Sequence, residues 1–179
     1  MSSETIDRII ASAESQARSG GYNAFSFREI AKEIGIKSAS IHYHFPTKEN
    51  LAAELAKRYT EKFNQHLAVI SESGGDLQQQ LSDYADLFYF ALKNDQKMCL
   101  CGLFAAEMDA LPEDVQTATR LFFEAQIAWL SALLDSNGFA SPETEAIKLL
   151  ANMEGAMLIA KAFDSEDYFK RAIDLAAYQ

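Results

Sequence analysis

The chain has 179 residues, almost half of them hydrophobic, and a formal net charge of −10. A chain of that length buries roughly two thirds of the surface its unfolded form exposes, so it needs no disulfide or metal staple and can form one compact unit or a small domain plus a larger one. No uninterrupted apolar run approaches the roughly 20 residues of a bilayer-spanning helix, and the first ten residues already begin an amphipathic helix rather than a secretion leader, so a cytoplasmic protein with no membrane partner is expected.

The negative charge is unevenly placed. Residues 1–50 carry six Lys and Arg against six Asp and Glu, whereas residues 51–179 carry ten against twenty. A neutral N-terminal part remains compatible with a phosphate partner if its basic groups share one surface, with the acidic remainder facing away.

In chain order, the first helix is expected from about Ser3 to Ser19, with Ile6, Ile9, Ile10, Ala13 and Ala17 on one side and Gly20-Gly21 at its end. Tyr22 and Phe25 then plug the gap to a pair of short helices. Ser26 caps the first of these, with Glu29 three residues on in the position of a capping box, and Phe27, Ile30, Ala31 and Ile34 form its apolar face. Gly35 supplies the left-handed stop, Ser38 caps a second helix from Ala39 to about Phe45, and Pro46 closes it. That second helix sends only Ile41 and Phe45 inward. Lys37, Ser38, Ser40, His42, Tyr43 and His44 are left outside, the profile of a helix that reads the major groove in a helix-turn-helix.

Thr47 caps a long helix from Lys48 to about Ser71, with Leu51, Leu55, Tyr59, Phe63, Leu67 and Ile70 as its stripe. One end of it meets the reading pair and the other the remainder of the chain, so it is expected to act as a lever. After a Ser-Glu-Ser-Gly-Gly-Asp linker, helical periodicity returns in Leu77–Lys93, Met98–Ala110, Pro112–Ser136, Pro142–Phe163 and Asp167–Ala177, with Pro112 and Pro142 at first-turn positions. No β-alternating run occurs. The expected fold is all-α: a three-helix helix-turn-helix domain over residues 1–47 and a larger helical domain over 48–179. The two longest helices of the second domain carry more apolar residues than one face needs. Ala146, Ala151, Gly155, Ala156 and Ala160 would let the last of them approach a two-fold mate in a four-helix bundle.

The residues of the N-terminal third carry a resemblance. Ala11–Ala17, Gly20, Tyr22, Phe25, Ser26, Ile30, Ala31, Ile34, Gly35, Ser38, Ile41, Tyr43, Phe45, Lys48 and Leu51, and above all the run IHYHFPTKENL, resemble the TetR family of bacterial transcriptional regulators. The resemblance implies a homodimer on double-stranded DNA with a palindromic operator, and a repressor that releases its operator when a small-molecule effector enters the helical domain. For DNA the candidate residues are Lys37, Ser38, Ser40, His42, Tyr43, His44 and Lys48, with Arg28 flanking them. Early side chains of the reading helix suit base edges, and the family pattern implies backbone contacts for Tyr43 and Lys48.

A ligand cavity is also implied by the resemblance, and an apolar cavity with a few polar groups is the default small-molecule site. Its candidate lining is Phe63, Phe88, Tyr89, Phe104, Glu107, Met108, Phe122, Gln126, Trp129 and Met153. Cys99 and Cys101 are two residues apart in a helix, which suits neither a zinc knuckle nor a disulfide; they are expected to be buried small hydrophobes. The alternative is a thiol sensor in which oxidation or alkylation of Cys99 or Cys101 is the signal, as the resemblance allows. His42 and His44 diverge by roughly 200° on their helix, so no metal or cofactor is expected. An all-α enzyme is the remaining rival. No nucleophile with an adjacent base, paired acid or phosphate loop supports it, so the chain is expected not to be an enzyme.

Overall fold

The structure is a computed structural model that describes residues 3–178. Its helices are α1 (Ser3–Gly20), α2 (Phe27–Ile34), α3 (Ser38–His44), α4 (Lys48–Glu72), α5 (Leu77–Asp95), α6 (Leu100–Ala106), α7 (Glu113–Ser136), α8 (Pro142–Ala162) and α9 (Asp167–Ala172). Short 3₁₀ turns at Tyr22–Ala24, Met108–Ala110 and Ala176–Tyr178 complete them, and no strand occurs among the described residues, as the all-α expectation requires.

Local chemistry accounts for most of the boundaries. The Ser26 hydroxyl accepts the Glu29 N–H at 3.2 Å and starts α2, and Gly35 ends it in the left-handed region at φ 72°, ψ 35°. The reciprocal half of the capping box is replaced, because the Glu29 carboxylate turns to Arg28 at 3.4 Å. Thr47 caps α4 by accepting the Asn50 N–H at 3.1 Å.

Three expectations are corrected. Ser38 is the first residue of α3 rather than its cap; Lys37 precedes it in extended conformation, with no side-chain cap, and Phe45 is the C-terminal boundary residue. Pro112 lies just outside α7, where its carbonyl accepts the Val115 and Gln116 N–H groups, whereas Pro142 does occupy the first turn of α8. The segments Met98–Ala110 and Asp167–Ala177 are not continuous helices. Glu107 leaves helical geometry at φ −105°, ψ 11°, and Ile173 is extended at φ −89°, ψ 100°.

The chain divides into two compact units, one of Met1–Thr60 with Leu100–Phe122 and one of Glu61–Cys99 with Phe123–Gln179. The first centres on Ile9, Ala13, Ala17, Phe25, Ile30, Ile41, Leu51, Leu55, Phe104 and Phe122, all buried. Polar ties reinforce it: Glu33 accepts from Ser12 at 2.8 Å and from Gln16 at 2.7 Å, Arg8 donates to the Ile34 carbonyl, and Arg58 joins Asp7 to Glu54. The second unit centres on Phe63, Leu81, Tyr84, Phe88, Leu130, Leu134, Leu149, Met153 and Met157.

Helix α8 is apolar around most of its circumference. Ala146, Leu149, Leu150, Met153, Ala156, Met157 and Ala160 are buried within the chain, while Ile147, Leu158, Ile159 and the following Phe163 are exposed. The small residues expected on one mate-facing stripe therefore divide. Ala146, Ala156 and Ala160 pack inside, Ala151 is exposed, and a Cβ built on Gly155 meets open space.

Candidate nucleic-acid interface and effector site

The orientation of α3 follows from two anchors. Ile41 is fully buried and Phe45 nearly so, and together they pin one side of this seven-residue helix. What remains outside is Lys37, Ala39, His42 and Tyr43, with Ser38, Ser40 and His44 half-buried at the margins. Tyr43 is 75% exposed. Ala39 was not singled out from sequence, although its outward methyl is of the kind that contacts a thymine methyl in the major groove. The signal was available in its position one turn before Tyr43.

The candidate residues differ in how far they are already engaged. Arg28 projects into solvent with only Glu29 beside it. The His42 ring stands edge-on to Phe27 at 4.6 Å and its Nδ1 lies 3.3 Å from the Pro46 carbonyl, so a proton there is donated back to the helix end. His44 lies edge-on to Tyr43 at 5.1 Å, with its Nε2 closed off from solvent and without a hydrogen-bond partner.

Lys48 is the residue that geometry changes most. Its Nζ sits 4.5 Å from the centroid of the Tyr22 ring and 4.7 Å from that of Phe25. Partial burial lowers its pKa, and the charge of Glu107 opposes the shift. Glu107 also takes the Tyr22 N–H at 2.8 Å. The Tyr22 plug is thus a junction: its ring meets Phe25 and Phe104 edge-on at 6.0 and 6.4 Å, its backbone is held by Glu107, and its face carries the Lys48 ammonium. In this arrangement Lys48 rests in an aromatic seat from which it must extend to reach a phosphate.

The family model for bacterial regulatory proteins of the tetR family matches residues 9–55. Over 163 residues the chain is 30% identical to the HTH-type transcriptional regulator YxaF of Bacillus subtilis, covering 88% of this chain and 85% of that one. The chain belongs to the TetR family. A TetR transcriptional regulator from Legionella pneumophila has 35% identity and a TM-score of 0.91, covering 96% of this chain and 94% of that one. A TetR-family regulator from Agrobacterium tumefaciens follows at 30% and 0.90, with coverage of 94% and 93%. The TetR chain described here is accordingly a DNA-binding transcriptional regulator rather than an enzyme, and TetR-family regulators act on DNA as dimers. No helix is long and apolar enough to cross a membrane among the described residues.

The candidate effector residues fall into separate groups. Phe104, Glu107, Met108 and Phe122 belong to the first unit, where Glu107 is occupied by the Tyr22 turn. In the second unit, Phe63 and Phe88 meet the Tyr84 ring edge-on at 6.3 and 5.3 Å, and Trp129 stacks on it at 5.5 Å. The Trp129 indole N–H is spent on the Ser71 hydroxyl at 2.9 Å. Gln126, one turn earlier on α7, is fully buried, as is Met153 on α8. Tyr89 lies apart, donating to Glu166 at 3.2 Å beside an open recess of about 250 Å³ on α5 and α9.

Both cysteines are buried and unbridged. The Cys99 thiol is hydrogen-bonded to Glu154, and the thiol-sensor alternative is not favoured. Tyr84 and Glu154, which sequence reasoning did not select, add polar atoms to this interior. Burial pushes the Glu154 carboxyl up to about 7, with the Cys99 hydrogen bond opposing, and pushes the Tyr84 hydroxyl well up, with Glu154 and Cys99 adding to it.

Proposed function

We propose that this TetR-family regulator is a repressor that binds a palindromic operator as a homodimer and releases it when a small molecule binds its helical domain. Residues 1–47 read DNA, and residues 48–179 carry the effector site and the dimer face. The observation that carries the DNA half is the outer surface of α3, where Lys37, Ala39, His42 and Tyr43 are presented on a helix held from behind by Ile41 and Phe45. Ser40 and Tyr43 are one turn apart, so the first reaches base edges while the second meets a phosphate; Arg28 and Lys37 add backbone contacts, and Lys48 joins them by leaving its aromatic seat. Ser38 and His44 border this contact.

The dimer half rests on α8. Ile147, Ala151, Gly155, Leu158 and Ile159 fall on one side at spacings of three and four, and the open space at Gly155 admits a second helix closely. A two-fold mate covering that side gives the dimer two copies of α3, one for each half of a palindrome. An effector releases DNA insofar as it prefers the conformation whose half-site spacing no longer matches.

The test is operator selection from genomic fragments, then affinity across a salt series for the wild type, Tyr43→Ala and Lys37→Ala. Sequence-selective binding that weakens in both variants, with a salt slope reduced by about one for the lysine variant, supports the reading. Selection that returns no fragment above the background of unrelated DNA sinks it.

A further inference from the structure

The second unit keeps polar atoms where an apolar core would serve stability better. The Tyr84 hydroxyl, both amide atoms of Gln126 and Oε1 of Glu154 are closed off from solvent and have no hydrogen-bond partner among the described residues. Each such atom bears the desolvation cost of burial without the hydrogen bond that would offset it. Phenylalanine at 84 and leucine at 126 would keep the shape and remove the penalty, so these groups are what a fold selected for stability alone lacks.

They lie together. Trp129 stacks on Tyr84, and Gln126 precedes Trp129 by one turn of α7. Glu154 on α8 is close enough for its charge to act on the Tyr84 hydroxyl, and the Cys99 thiol donates to it. Tyr84 and Cys99, both weak acids, are the titratable groups that face Glu154, and no cation pairs with this carboxyl among the described residues. Around Tyr84 the rings of Phe63, Phe88 and Trp129 offer π-surface. A half-buried carboxyl with one enclosed, unpartnered oxygen lacks one thing, a positive charge, and a desolvated cation gains from it and from nearby aromatic faces.

We propose that Tyr84, Gln126 and Glu154 are the recognition set of the effector site, and that the effector is a small organic cation with a flat apolar body. The inference rests on the effector-released repressor reading and names the ligand class for it. Glu154 pairs with the cationic centre, the Tyr84 hydroxyl and the Gln126 amide take its remaining hydrogen bonds, and the rings hold the body. Trp129 is only half-buried and covers Tyr84, so it is the ring that moves aside on entry.

The test uses the full chain at pH 8 and three probes of one shape: 1-naphthylmethylamine as its ammonium ion, 1-naphthylmethanol and 1-naphthoate. Binding is measured by titration calorimetry on the wild type, Glu154→Gln, Tyr84→Phe and Gln126→Leu, each first shown by circular dichroism to be folded. The ammonium is expected to bind the wild type more than about tenfold more tightly than the alcohol, with the carboxylate weakest. Glu154→Gln is expected to erase that preference while leaving the alcohol within about threefold, and Gln126→Leu and Tyr84→Phe to weaken the ammonium. Because both of the last two remove orphaned groups, they should keep or raise the unfolding midpoint. Equal binding of ammonium and carboxylate, ammonium binding unchanged in Glu154→Gln, or no binding heat from any probe up to millimolar concentration would each overturn the proposal. Ammonium binding with this pattern that leaves operator DNA bound keeps the cation site and refutes effector release; a protein that binds no DNA without the amine refutes the operator reading alone.

Discussion

Replacing Gly21 by alanine tests the Tyr22 junction at its tightest point. Gly21 sits at φ 77°, ψ −162°, a region essentially confined to glycine. Holding alanine there costs about 1–3 kcal/mol in backbone strain. A Cβ at this position would fall 2.1 Å from Glu107 Oε1, so the carboxylate must swing away. It would then give up the Tyr22 N–H, a bond to a charged acceptor worth about 1.5–3 kcal/mol. The two terms together predict a loss of about 3–5 kcal/mol and, for a chain of this size, a fall in melting temperature of roughly 10 °C. Urea unfolding followed by far-ultraviolet circular dichroism measures the first and a thermal scan the second. A cycle with Glu107→Ala separates the terms. In that background the clash and the hydrogen bond are already gone, so Gly21→Ala should cost only the backbone part, leaving a coupling of about 1.5–3 kcal/mol. A single variant within about 0.5 kcal/mol of wild type, or an equal cost in both backgrounds, refutes the reasoning.

Removing the α2 cap with Ser26→Ala should lower stability by about 1 kcal/mol, read from the urea midpoint, because the Glu29 N–H loses the hydroxyl that accepts it. Glu154 carries a folded-state pKa raised from 4.5 to about 7, so the folded chain holds a proton that the unfolded chain releases. Its contribution therefore falls as pH rises from about 4.5 through about 7, by on the order of 3 kcal/mol, and Glu154→Gln should flatten that part of the stability profile; parallel profiles would exclude the assignment. Charge on the open side of α8 should separate subunits. Leu158→Glu is expected to shift sedimentation from dimer toward monomer, whereas the same change at exposed Val69, which lies on another helix, should leave the dimer intact.

How far the sequence reached depended on whether a property was local. Ser26, Gly35 and Thr47 mark helix boundaries through hydrogen bonds or dihedral freedom confined to a few neighbouring residues, and each acts where the pattern places it. Periodicity separated the inner from the outer side of α3 for the same reason, since Ile41 and Phe45 are one turn apart. What the sequence did not give is non-local. The Lys48 ammonium rests on Tyr22 and Phe25, more than twenty residues earlier. The Glu107 carboxylate accepts a backbone N–H 85 residues away. Tyr84 and Glu154 pass unnoticed because an aromatic and an acid at helical spacing usually mean a core contact and a solvated face. What sets them apart is the lack of hydrogen-bond partners at particular atoms, a property of the assembled interior. If Glu154 faced water its carboxylate would be unremarkable. Set against Cys99 and close enough to act on the Tyr84 hydroxyl, it keeps its proton up to about pH 7, a property only three-dimensional packing creates.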